Sequence, residues 1–123
     1  MESIEIKIAR DYTSTPGPRY IKEGDFSGEF FRQKILYPSF QRAISEGKKI
    51  VVVLDETAGY GTSFLEESFG GLIREEKMNY KSIIDNLKII SIEEDYLIED
   101  VFHYIEDAEK VRQDEEKAKQ KGN

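Results

Sequence analysis

Five consecutive residues, Ile50-Val51-Val52-Val53-Leu54, are apolar at every position and stop at Asp55. A run this short and this rich in β-branched side chains predicts a central strand covered on both faces. The rest of the chain must build around it. Ile4, Ile6 and Ile8 alternate with Glu5 and Lys7, the period of a strand with one buried face. Lys88-Ile89-Ile90-Ser91-Ile92 predicts a further strand, and Tyr20-Ile21-Lys22 a short additional one. Between the strands the apolar spacing turns helical. Ser27 is placed to cap a helix carrying Phe30, Phe31, Ile35 and Leu36. Pro38 must kink or restart that helix, because it lacks a donor and clashes with the preceding turn. Phe40 and Ile44 continue its face, and Gly47 ends it.

Ser63-Phe64-Leu65-Glu66 fits the S-x-x-E capping box, so a helix is expected from Ser63, with Leu65, Phe69, Leu72 and Ile73 buried. Ile83, Ile84 and Leu87 suggest a short helix or turn. From Glu93 the helical pattern returns through Leu97, Val101, Tyr104, Ile105 and Ala108. Strands alternating with helices predict an α/β fold, a small mixed sheet of about four strands packed with three to four helices. Residues 1–108 read as one domain. Residues 109–123 are nearly all charged or polar and read as a solvated helical extension fraying into a disordered end.

Eighteen basic residues stand against twenty-five acidic ones, a net charge of −7. A phosphate backbone is repelled by that average field, so nucleic acid is not expected as a partner. No apolar run approaches the roughly 20 residues of a membrane span, and the N-terminus shows no apolar signal core, so the cytoplasm is the expected compartment. There is no cysteine and one histidine, His103. A zinc site would need carboxylates, and a nucleophilic triad would have to run through His103. No metal or cofactor is expected, and the chain reads as non-enzymatic.

The informative segment follows the central strand. Binding residues in open α/β sheets gather beyond the carboxyl ends of strands, and here Asp55–Ser63 leads straight into a helix. Gly59, Tyr60, Gly61, Thr62, Ser63, Phe64 and Glu67 are the candidate partner-binding residues, with Arg19 presented by the stiff Pro16-Gly17-Pro18 turn. Each has a plainer alternative: Ser63 as a helix cap, Phe64 as core, Asp55 as a loop cap, Arg19 as a surface ion pair. Gly70 and Gly71 disfavour a helix by roughly 1 kcal/mol each, which close packing on the sheet or close approach of a partner would offset. Gly59-x-Gly61 lacks the third glycine of a dinucleotide loop, since Phe64 stands there.

The run Val51-Val52-Val53-Leu54-Asp55 followed by Gly61-Thr62-Ser63-Phe64-Leu65-Glu66-Glu67-Ser68-Phe69-Gly70-Gly71-Leu72 resembles a STAS-like family of uncharacterised function. Pro16-Gly17-Pro18-Arg19-Tyr20 and Ser27-Gly28-Glu29-Phe30-Phe31-Arg32 resemble that family's first half, so the likeness spans roughly residues 1–108. The broader group is similar to bacterial anti-sigma-factor antagonists. That resemblance implies docking of the strand–loop–helix corner on an ATPase of the histidine-kinase fold, with Ser63 or Thr62 as the phosphoacceptor. The sequence departs from the antagonist pattern: Gly61-Thr62 precede Ser63, bulky Phe64 follows it, and Glu66 and Glu67 would repel a phosphate. The leading expectation is a regulatory protein-binding module acting through 59–69. The alternative is a small-ligand, nucleotide or phosphate-binding domain using loop 59–63.

Overall fold

The computed structural model of the protein describes residues 2–121. Three strands, β1 (Ser3–Lys7), β2 (Lys49–Val53) and β3 (Leu87–Ile90), form one parallel sheet in the order β1-β2-β3. The register aligns Ile4–Ile50–Leu87 and Ile6–Val52–Ile89 across it. These two rows make the face that carries the core, with Ile6, Ile50, Val52, Leu87 and Ile89 all buried. The opposite face carries Glu5–Val51–Lys88 and Lys7–Val53–Ile90. Val51 and Val53 are only half-buried there. The expectation of a strand covered on both faces is therefore corrected. The apolar run is real, but its neighbours place Glu5 and Lys88 in register on the second face, and charged side chains keep that face in water.

The sheet has three strands, all parallel, where a mixed sheet of about four was expected. Residues Ile21–Glu23 form a 3₁₀ turn instead of a strand. The Tyr20 and Ile21 backbone N–H groups donate to the carboxylates of Glu23 and Glu29, both at 2.9 Å. Those donors are thereby withdrawn from any ladder.

Among the described residues seven α segments, which the π joins below merge into five helices where three to four were expected, accompany the sheet: α1 (Ile8–Asp11), α2 (Gly28–Phe31), α3 (Tyr37–Glu46), α4 (Thr62–Leu65), α5 (Gly71–Arg74), α6 (Tyr80–Asn86) and α7 (Tyr96–Lys121). A π-helical stretch, Arg32–Leu36, joins α2 and α3 into one helix, and a second, Glu66–Gly70, joins α4 and α5. The first opens the ladder immediately ahead of Pro38, which has no N–H to contribute to the start of α3. Ser27 caps α2 as its sequence position predicts, accepting from Phe30 N at 3.0 Å. Gly47 ends α3 in the left-handed conformation, φ 67°. In α7, Leu97, Val101, Ile105 and Ala108 are buried, packing the helix against the second π stretch and α5. From Lys110 to Lys121 it remains helical and wholly exposed. Of the tail 109–123 that was expected to fray, residues 109–121 are helical, and 122–123 lie outside the described residues. Among the described residues no helix is long and apolar enough to cross a membrane.

Candidate docking site

The carboxyl ends of the three strands feed a cluster of loops, and these loops hold one another. Asp55, just past β2, accepts from the backbone N–H groups of Ile92 at 2.8 Å and Glu93 at 2.9 Å. Glu93 returns the bond by accepting from Glu56 N at 2.7 Å. Asp55 is thus a loop cap, acting on the turn that precedes α7 rather than on its own loop. Ala58 N donates to Ser14 O at 2.8 Å, tying the β2–α4 loop to the segment after α1. Tyr60 OH donates to Leu54 O at 2.8 Å, and burial pushes its phenol above the ordinary value of 10.0. Tyr12 OH donates to Ser27 O at 2.9 Å, and burial pushes this phenol up to about 12. Both phenols therefore stay protonated and keep donating across the physiological range.

These tyrosines frame a continuous aromatic array. Phe64 lies with its ring centroid 5.8 Å from Tyr60, 6.0 Å from Phe31 and 6.4 Å from Tyr12. Tyr12 continues outward to Phe26 at 5.7 Å and Phe30 at 6.2 Å. The inner end is core, since Phe64 is 0% exposed. The outer end is surface: Tyr20, Ile21, Phe26 and Phe30 are 39, 46, 47 and 41% exposed. All four fall within one eleven-residue stretch around Ser27. Exposed apolar side chains gathered in this way are a common feature of interaction surfaces.

Beneath the corner lies a charge network whose centre, Arg32 and Glu67, is buried. Arg32 is 2% exposed and donates to the Glu67 carboxylate, to Glu67 O at 2.9 Å and to Glu76 at 3.0 Å. Glu67, also 2% exposed, accepts in addition from Arg19 and Arg74, each at 3.2 Å. Glu66 accepts from Arg19 and from Arg74, the latter at 2.9 and 3.1 Å. Burial works to raise the Glu66 carboxyl, but the arginine hydrogen bonds outweigh it and hold the group below its ordinary 4.5. Three arginines and three glutamates satisfy one another here. No buried side-chain polar atom lacks a partner among the described residues. The two π stretches meet at this network, with Arg32 from one reaching Glu67 of the other.

Glycine makes the approach between these helices feasible. A Cβ on Gly28 would run into the Phe64 backbone carbonyl, one on Gly71 into the Arg32 guanidinium, and one on Gly70 into the Glu66 carboxylate. The cost of Gly70 and Gly71 in a helix is therefore offset within the chain, by the room they leave for the Glu66 and Arg32 side chains of the ion network.

Several sequence expectations change against this geometry. Phe64 and Glu67 are withdrawn from the partner-binding set: Phe64 is enclosed by Tyr12, Phe31 and Tyr60, and Glu67 by three arginines, so no partner side chain can reach them. Arg19 spends its guanidinium on Glu66 and Glu67. Ser63 does not cap: the N-cap is Gly61, and the Glu66 carboxylate that would complete the capping box is drawn to Arg19 and Arg74. Charge-assisted bonds outcompete a neutral N–H for that carboxylate. Gly61 and Thr62 are exposed, and Gly59, Tyr60 and Ser63 half-buried. His103 is exposed on α7, and no group of His, Asp and Glu able to hold a metal occurs among the described residues. Sequence reading missed Phe26 and Phe30 as surface residues. The available signal was Phe26 itself, a large ring outside any periodic pattern, between Asp25 and a helix cap.

Neither a curated protein nor a solved structure matches the chain. A family model described as a STAS-like domain of unknown function (DUF4325) matches residues 27–97, more than half of the sequence, from the Ser27 cap through the central strand and both π stretches to the start of α7. The chain belongs to that STAS-like family.

Proposed function

We propose that this protein is a non-catalytic regulatory module that docks on another protein through the loop cluster at the carboxyl end of its sheet. The docking surface comprises the exposed rim of the β2–α4 corner, Gly59 to Ser63, and the aromatic outcrop of Tyr20, Ile21, Phe26 and Phe30 beside it. The observation that carries the reading is that outcrop: four large apolar side chains, each more than a third exposed, of which Phe26 and Phe30 pack on Tyr12 and through it join the core beneath the corner. Large aromatic anchors surrounded by polar rim residues are what protein interfaces use. The resemblance to anti-sigma-factor antagonists supports an ATPase of the histidine-kinase fold as the partner. The test is calorimetric titration of the chain against the purified histidine-kinase-fold ATPase domains of its own host. The reading expects saturable binding by one of them, weakened at least about tenfold, or 1.4 kcal/mol, by Thr62→Arg at unchanged melting temperature. Binding by none of the domains, or equal binding by the variant, counts against it.

A further inference from the structure

Phe26 is held in a backbone conformation that a phenylalanine rarely adopts, φ 57°. For a bulky side chain this is an outlier that the surroundings must impose. They do so from the facing strand of loop. Gly17 N donates to Phe26 O at 2.9 Å, Gly28 N to Pro18 O at 2.9 Å and Glu29 N to Arg19 O at 3.0 Å. Gly17 has no side chain because a Cβ there would run into the Asp25 carbonyl. Strain of this kind is tolerable when it drives a ring into the core. Here it holds the ring 47% exposed.

The ring forms one wall of a groove of about 330 Å³ whose other walls include Tyr12, Ile21, Asp25 and Phe30. Phe26 stands edge-on to Tyr12, at 82°, while Phe30 lies within 15° of parallel to it. Ring faces carry negative quadrupole density and attract cations. Asp25 is the one charged side chain lining the groove, is exposed, and makes no hydrogen bond or ion pair among the described residues. The two nearby cations are directed elsewhere: Arg19 and Lys22 lie 5.9 and 5.7 Å from the Tyr20 ring centroid, and Arg19 is bonded to Glu66 and Glu67. An unpaired carboxylate in the lining of an aromatic groove, on a chain of net charge −7, is complementary to a flat cation with an apolar stem.

We propose that this groove receives an arginine side chain from a basic segment of the partner protein, its guanidinium stacked on the rings and paired with Asp25, its methylenes along Ile21. Guanidinium fits better than ammonium because it both stacks on rings and pairs bidentately with carboxylate. The inference deepens the docking reading and rests on it for the source of the arginine, but its test needs no partner. The ¹⁵N-labelled chain is titrated with N-acetyl-arginine-methylamide, and separately with the lysine and norleucine analogues, while amide shifts are followed. The expected result is saturable shifts centred on Tyr12, Ile21, Phe26 and Phe30 with the arginine probe, weaker ones with lysine and none with norleucine. Asp25→Asn should weaken arginine binding about threefold or more. Phe26→Gly, which accepts the left-handed backbone without strain, should abolish it in a chain that still unfolds cooperatively. Norleucine shifts equal to those of arginine, arginine shifts scattered over the acidic surface without saturation, or undiminished binding by Phe26→Gly would each overturn the proposal. Failure here leaves the ATPase titration unaffected, and failure there leaves this groove chemistry intact.

Discussion

Replacing Arg32 by methionine removes one end of the buried ion pair that joins the two π stretches. Three hydrogen bonds are lost, to the Glu67 carboxylate, to Glu67 O and to Glu76. Breaking a buried pair by deleting one partner typically costs about 3–5 kcal/mol, because the other charge stays buried and uncompensated. Glu67 retains Arg19 and Arg74 at 3.2 Å each, which places the expected loss at the lower end, about 3 kcal/mol. For a domain of this size that corresponds to roughly a 12 °C fall in melting temperature. Urea unfolding of Arg32→Met, Glu67→Leu and the double variant closes a mutant cycle. The double variant should be more stable than the sum of the singles predicts, with a coupling of about 2 kcal/mol, because an apolar pair leaves no fully buried charge stranded and frees only the part-exposed Glu76. A loss below about 1 kcal/mol for Arg32→Met, the level of an exposed pair, or strict additivity in the cycle, would refute the view that this pair holds the corner together.

Gly28→Ala should destabilise by about 2 kcal/mol in chemical unfolding, since its Cβ meets the Phe64 backbone carbonyl and backbone cannot swing aside. Ser27→Ala removes the cap on Phe30 N and should cost about 1 kcal/mol by the same assay. Glu66 has a folded-state value below 4.5, so its contribution is fully present above the unfolded value and is lost as pH falls through the folded one. Unfolding free energy of the wild type should therefore drop on acidification below about pH 4.5, and the Glu66→Gln slope over that window should be shallower; parallel slopes would contradict the assignment.

Elements whose side chains alone specify them were legible in the sequence. The apolar run Ile50–Val53 of β2 occupies the centre of the sheet, Ser27 caps α2, and Gly47 ends α3 in the left-handed conformation it alone adopts readily. Elements decided by a remote partner were not. Ser63-x-x-Glu66 has the form of a capping box, but the glutamate is taken by Arg19 and Arg74, residues 47 and 8 positions away. Tyr20-Ile21-Lys22 alternates like a strand, yet Glu23 and Glu29 claim its donors. Phe64 and Phe26 are both rings beside a serine, and composition gives no reason to bury one and expose the other. The difference lies in remote packing: Gly28 lets α2 close over Phe64, and Gly17 lets its segment pass tight against Asp25, where Phe26 takes a left-handed backbone. The same holds for Arg32, which occupies a helical face otherwise made of Phe31, Ile35 and Leu36 and becomes intelligible only when Gly71 is seen to leave room for it.

The central claim is that another protein covers the loop cluster at the carboxyl end of the sheet. The most direct measurement is backbone hydrogen exchange of the chain, free and in complex with the host ATPase domain that titrates with it. Docking there adds protection confined to residues 12–30 and 56–63, with α7 beyond Ala108 and the Val51–Val53 face of the sheet unchanged. Protection appearing on α7 or on that open sheet face, with residues 12–30 and 56–63 unaltered, would contradict it.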